Sequence, residues 1–183
     1  MTNNIQNILL LNNLMKYYNQ DVNNMDNMLS IINGDSKISL RIVDWFATNY
    51  SKQNYTIYKL INGKRFKVYI DYKLKLRAYS KKRFDPFCRR ERITIPFDER
   101  HSMETTLGQL NFFKWAIQNK VIDYIESHYE EIEEDMTERN SSAKKEKSPV
   151  NHSNKTRKKR EELSVSACKC IKKEDVNIIV KFN

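Results

Sequence analysis

The sequence predicts an α+β protein: an antiparallel sheet of about five strands, helices packed on one face of it, and further helices at the N-terminus. Three observations lead there. Apolar and polar residues alternate strictly over residues 66–77, the period of a strand. Apolar residues recur at threes and fours over 105–136, the period of a helix. The chain has 183 residues, 39% of them hydrophobic, which suits a single core with tails. The expected organisation is an N-terminal helical arm (1–35), an α+β core (36–138), a basic disordered linker (139–160) and a C-terminal β-hairpin that rejoins the sheet (161–183).

In chain order, Ile5, Ile8, Leu11 and Met15 share one face of a first helix. Val22, Met25, Leu29 and Ile32 mark a second, stopped by Asn33-Gly34. These stripes are core or a docking surface for a virion protein partner through residues 5–32. A third helix spans 37–50, with Ser36 as candidate N-cap and Ile38, Ile42, Trp45, Phe46 and Tyr50 as its wide apolar stripe. Residues 55–60 read as a short strand, and Asn62-Gly63 is a hairpin turn signal. The long strand follows: Phe66, Val68, Ile70, Tyr72, Leu74 and Leu76 on one face, and Lys67, Tyr69, Asp71, Lys73, Lys75 and Arg77 on the other. A basic connector closes at Asp85-Pro86, and residues 87–97 return as a third strand ending near Pro96.

Over 105–136, Thr106 and Gln109 have capping-box spacing. Leu107, Leu110, Phe113, Trp115 and Ile117 make one broad buried side. Asn119 breaks or kinks the helix. Ile122, Ile125, Tyr129, Ile132 and Met136 continue the stripe. The outer face from Asp123 to Glu138 is acidic, either a solvated face or a mask over the basic strands. Residues 139–160 have linker composition. Leu163, Val165 and Ala167, then Val176, Ile178, Val180 and Phe182, alternate around a turn near Glu174-Asp175. An isolated hairpin is marginal in water, so this one is expected to pair with the main sheet.

Charge is distributed in blocks. Residues 64–92 hold twelve Lys and Arg against three acids, while 93–140 are net acidic and 141–160 net basic. The whole carries a formal +10. Abundant Asn, Ile and Lys fit an AT-rich genome, which explains part of the lysine excess. It does not explain why six of the eleven arginines fall within 64–92. A cationic strand face points to nucleic acid or another polyanion, since neutralising phosphates releases counterions. The candidate contacts are Lys67, Lys73, Lys75, Arg77, Lys81, Lys82, Arg83, Arg89, Arg90 and Arg92, with Tyr69 and Tyr79 stacking on exposed bases. An ordinary solvated face paired with the acidic helices accounts for the same residues. No RNP-like or Cys/His-paired binding signature accompanies them.

Other chemistry finds little footing. Cys88, Cys168 and Cys170 cannot form a disulfide framework, and no second Cys pair stands at zinc-ligand spacing. Gly34, Gly63 and Gly108 are isolated, so there is no phosphate-cradling loop. His128 and Glu131 are three apart on a helix, more simply a surface pair than a metal site. Asp71-Tyr72-Lys73 has the D-x-K form of a nuclease half-site. A metal-dependent nuclease needs further carboxylates, and Asp44 or Glu91 supplies one only if the fold brings it there. The expectation is therefore no catalytic residue, no metal and no cofactor, with nuclease activity as a remote alternative. Residues 8–11 are too short for a membrane span, and neither a signal peptide nor a myristoylation site is read. Lys144, Lys145, Arg157, Lys158, Lys159 and Arg160 have the spacing of a bipartite nuclear-import signal. A flexible polyanion-binding arm has the same composition. Phosphorylation at Ser148 would tune either role.

Three stretches carry a family resemblance: Ala78-Tyr79-Ser80-Lys81-Lys82-Arg83-Phe84-Asp85-Pro86-Phe87-Cys88-Arg89, Gly108-Gln109-Leu110-Asn111-Phe112-Phe113-Lys114-Trp115-Ala116-Ile117, and Glu162-Leu163-Ser164-Val165-Ser166-Ala167. They resemble a family of small uncharacterised proteins of nucleocytoplasmic large DNA viruses, over roughly 36–138 and 157–183. The resemblance implies a viral origin and a virion- or genome-associated role, in the host nucleus or a cytoplasmic viral factory. It transfers no catalytic residue. The leading expectation is a non-catalytic viral accessory or virion protein that binds nucleic acid. The competing one is a capsid or assembly module whose basic face meets acidic protein.

Overall fold

A computed structural model describes residues 2–88, 90–96, 101–145 and 173–175. Helices dominate. The order is α1 (Thr2–Gln20), α2 (Val22–Asn33), α3 (Leu40–Trp45), a π-helical turn (Phe46–Tyr50), α4 (Ser51–Gln53), β1 (Ile57–Lys59), β2 (Arg65–Lys67), α5 (Val68–Tyr79), α6 (Lys81–Phe84), β3 (Arg92–Pro96), β4 (His101–Thr106), α7 (Leu107–Gln118), α8 (Val121–Ser127), α9 (Tyr129–Lys145) and β5 (Lys173–Asp175). The α+β class holds, but the expected five-stranded sheet does not. β1 and β2 form one antiparallel pair; β3, β4 and the short β5 form a separate antiparallel sheet. The rest of the predicted C-terminal hairpin lies outside the described residues.

The largest correction concerns residues 66–77. The alternation there is real, yet the chain leaves β2 at Lys67 and runs as α5. Val68, Tyr72 and Leu76 are four apart, so a helical stripe is hidden inside the alternation. Val68 and Tyr72 are buried and Leu76 packs on the core. Ile70 and Leu74, which a strand would bury with them, are 53% and 59% exposed. Leu, Lys, Arg and Ala are all good helix formers, and no partner strand among the described residues extends past β2 to reward an extended chain. Likewise residues 87–97 become a strand only from Arg92, with Pro96 at its end as expected.

α7 is the central helix. Thr106 caps it, its Oγ1 accepting from the Gln109 N–H at 3.2 Å. Gln109 turns its own side chain to accept from Thr105 Oγ1, so only half of the capping box forms. Leu110, Phe112, Phe113, Trp115 and Ala116 are buried. Gly108 lets α6 approach: a Cβ there would stand 2.7 Å from the Asp85 carbonyl oxygen. Asn119 ends α7, and Lys120 takes the left-handed conformation before α8.

Residues 1–35, expected as an arm, supply Leu14, Tyr18, Met25, Met28, Leu29, Ile31 and Ile32 to the same apolar cluster as α3 and α7. Tyr18 OH donates to the Leu110 carbonyl at 2.7 Å, tying α1 to α7. The buried face of α1 is therefore Leu14 and Tyr18, while Ile5 and Ile8 face outward. Gly34 stops α2 at φ +82°, and the Asp35 and Ser36 N–H groups bond the Ser30 carbonyl. The N-cap of α3 is Ser39, accepting from Ile42 N–H; Ser36 instead accepts from Ile38 N–H. In the π turn the Ser51 N–H reaches back to the Phe46 carbonyl. Side-chain hydroxyls take carbonyls four residues back: Thr48 Oγ1 donates to Asp44 O and Ser51 Oγ to Ala47 O. The Asn62-Gly63 turn is present, with Gly63 at φ +75° and the Lys64 N–H bonded to Asn62 Oδ1.

Candidate functional site

A helix distributes the cations of residues 67–77 differently from a strand. Lys73 and Arg77, one turn apart, lie on the solvent side of α5 near Ile70 and Leu74. Lys75 turns the other way, half-buried, into a cleft of about 410 Å3 between α1, α5 and α7. The single cationic face of the strand reading is thus split in two. The D-x-K reading fails for the same reason. Residues two apart share a face on a strand but stand about 200° apart around a helix. Asp71 accepts from Trp115 Nε1 at 2.7 Å, while Lys73 is exposed.

The other predicted contacts separate by what already holds them. Lys67 ends β2, exposed, and Lys81 is exposed at the start of α6. Lys82 pairs with Glu91 at 2.9 Å and Arg92 with Glu104 at 2.9 Å. Arg83 is pinned to α1: its Nε donates to Asn7 Oδ1 at 2.7 Å and a terminal nitrogen donates to Gln6 Oε1. Arg90 is exposed. Tyr69 is half-buried with Lys52 Nζ 5.9 Å from its ring centre. Tyr79 stacks on Phe84, centroids 6.1 Å apart, so one ring face is occupied. Arg89 and Arg157, Lys158, Lys159 and Arg160 lie outside the described residues. α9 runs on to Lys145, so Lys144 and Lys145 sit on its last turn, where a linker was expected.

The acidic helices do not cover α5. α8 and α9 pack against α3, α7 and the π turn. Asp135 accepts from Trp45 Nε1 at 2.7 Å and pairs with Arg139, and Glu131 accepts from Tyr50 OH. Among the described residues no ion pair joins Lys73, Lys75 or Arg77 to an acid. His128, considered beside Glu131 for a metal, lays its ring on Tyr124 with centroids 4.1 Å apart and turns Nδ1 to the Tyr124 carbonyl. No group of three His, Cys, Asp or Glu side chains suited to a metal occurs among the described residues.

The polar cleft contains residues that the sequence reading missed. Lys114 of α7 enters it opposite Lys75, and Asn13 of α1 and Gln118 of α7 line it. Burial, and then the charge of Lys75, hold the Lys114 ammonium below the ordinary lysine pKa. Its Nζ also lies 5.2 Å from the Tyr17 ring centre. Two cations face one space, and among the described residues no carboxylate is paired to either. The signal available in the sequence is Lys114 itself, the one charge in the run Leu110-Asn111-Phe112-Phe113-Lys114-Trp115-Ala116-Ile117, where a helix buried on most sides is expected to carry none.

A family model described as a family of unknown function (DUF7197) matches residues 1–183. Uncharacterized protein L507 of Acanthamoeba polyphaga mimivirus is 45% identical over 148 residues, which cover 76% of this chain and 57% of that protein. The chain thus matches little more than half the length of that relative. No solved structure matches. The chain belongs to the DUF7197 family, and the expected kinship with uncharacterised proteins of large DNA viruses holds.

Proposed function

We propose that this member of a family with a giant-virus relative is a non-catalytic accessory or virion protein that binds nucleic acid through the cations of α5 and α6. One observation carries the reading. Among the described residues, Lys73, Lys75, Arg77 and Lys81 take part in no ion pair, and the acidic α9 packs elsewhere. Cations left unneutralised on one surface attract phosphates and release their counterions on binding. Binding of this kind is insensitive to sequence and weakens steeply with salt. Its natural setting is the host nucleus or a cytoplasmic viral factory.

The experiment is fluorescence anisotropy of labelled single- and double-stranded oligonucleotides over a salt series. The triple variant Lys73→Glu, Arg77→Glu, Lys81→Glu leaves the cleft residues in place. It should weaken binding to every sequence and lower the salt slope by about one for each phosphate no longer neutralised. Unchanged affinity overturns the reading. A second reading, an assembly module, is favoured by the exposed Ile5, Ile8 and Leu9 on α1. It expects no oligonucleotide binding at low salt, and self-association that disappears when these three residues become Ser. Deleting the helices is no test, since Leu14 and Tyr18 belong to the core.

A further inference from the structure

We propose that the cleft between α1, α5 and α7 binds a single nucleotide unit, its phosphate held between the ammonium groups of Lys75 and Lys114. The volume, about 410 Å3, lies within the range of small-ligand sites, roughly 300–1,000 Å3. Lys75 and Lys114 come from different helices and converge on one space, where each raises the cost of the other's charge. Among the described residues neither has a carboxylate partner. A phosphate entering between them supplies the missing counter-charge and accepts charge-assisted hydrogen bonds from both.

The rest of the wall narrows the ligand beyond a bare anion. Asp71 commits Oδ1 to the Trp115 indole. Its other oxygen is an acceptor for a ribose hydroxyl or an exocyclic amine, and its charge disfavours a second phosphate nearby. The side-chain amides of Asn13 and Gln118 line the same cleft and form no hydrogen bond among the described residues. They offer both donors and acceptors for a sugar or base edge. One anionic group bound by two cations, next to groups that favour neutral polar atoms, describes a nucleoside monophosphate better than a polyphosphate or an inorganic ion. The choice of ligand rests on the nucleic-acid reading. The same chemistry is met by the 5′ end of a strand or by a free nucleotide.

The test follows the Trp115 indole N–H resonance of the full chain, which reports on Asp71; Trp45→Phe assigns it. The probes are adenosine 5′-monophosphate, adenosine and inorganic phosphate. The monophosphate should shift the signal, inorganic phosphate should compete with it, and adenosine should leave the signal in place. Lys75→Gln and Lys114→Gln, on separate helices, should each weaken the monophosphate at least about tenfold. Lys73→Gln, outside the cleft, should not. Tighter binding of 5′-phosphorylated than of 5′-hydroxyl oligonucleotides, abolished in Lys114→Gln, identifies the strand end as the source; monophosphate binding without that preference identifies a free nucleotide. No shift at Trp115, or equal weakening by Lys73→Gln, overturns the proposal. Loss of monophosphate binding with oligonucleotide affinity intact removes this site alone. The reverse removes the exposed-surface reading and leaves the cleft.

Discussion

Asp44 sits half-buried on α3, and burial, reinforced by the charge of Asp85, raises its pKa from the ordinary 3.8 to about 7. The carboxyl therefore keeps its proton in the fold at pH values where the unfolded chain has lost it. Below about pH 4 both states are protonated and the residue costs nothing. From there to about pH 7 the unfolded state binds fewer protons, so stability falls as pH rises; above that range the full penalty persists. Asp44→Asn removes the charge and keeps the shape. Its melting temperature should match that of the parent near pH 4 and exceed it increasingly up to pH 8. Thermal melts by circular dichroism at pH 4, 6 and 8 measure this, and parallel curves would contradict it. Nothing in the sequence announces the effect, because the proximity of Asp44 and Asp85 is created by the packing of α3 near α6.

At the scale of elements, α7 is legible because its apolar residues are too many for any other placement, and its start is written in Thr106 and Gln109. α5 is not. Six alternating apolar positions outweigh, on paper, the three that a helix uses. The chain resolves the ambiguity through tertiary contacts, namely Tyr72 against Phe84, Phe112 and Trp115, and Asp71 on the Trp115 indole. A pair of substitutions separates the two conformations. Tyr72→Ala should cost about 3–5 kcal/mol, the range for emptying a large aromatic site. Leu74→Lys should stay within about 0.5 kcal/mol of the parent. A strand would make both severe. Urea denaturation of the two variants measures the difference. The candidate site shares this history: the density of charge is legible, but its division between solvent and cleft depends on the rotational phase of α5.

At the scale of the whole molecule, opposite charges are segregated. Acidic α9 packs on α3 and the π turn, whereas basic α5 rests on α4, α6, β2 and the same turn. The blocks are legible in the sequence, but which neighbour each chooses is not, because Coulomb forces between exposed groups are weak beside apolar packing. Had the acidic helices masked the cations, salt would loosen the fold. With Lys75 facing Lys114 and no described acid paired to either, screening should relieve repulsion instead. The melting temperature is expected to rise between about 50 mM and about 500 mM sodium chloride, a range over which the Debye length shrinks severalfold. A fall on differential scanning calorimetry would show that attraction, not repulsion, governs the surface.

The π turn at Phe46–Tyr50 makes the chain unusually sensitive to length at one place. A helical step of four residues overshoots a full rotation by about 40°, so Ile42, Phe46 and Tyr50 would drift around a regular helix. The wider turn takes back most of that drift and keeps all three pointing inward. Removing one residue there would permit ordinary helical hydrogen bonding while rotating everything after it by about 100° relative to everything before. Tyr50 would then point away from Glu131, and the hairpin leading into α5 would leave at a different angle. Relatives of this protein should therefore vary in length in the β1–β2 turn and after α9, and keep a fixed count between Ile42 and Ser51.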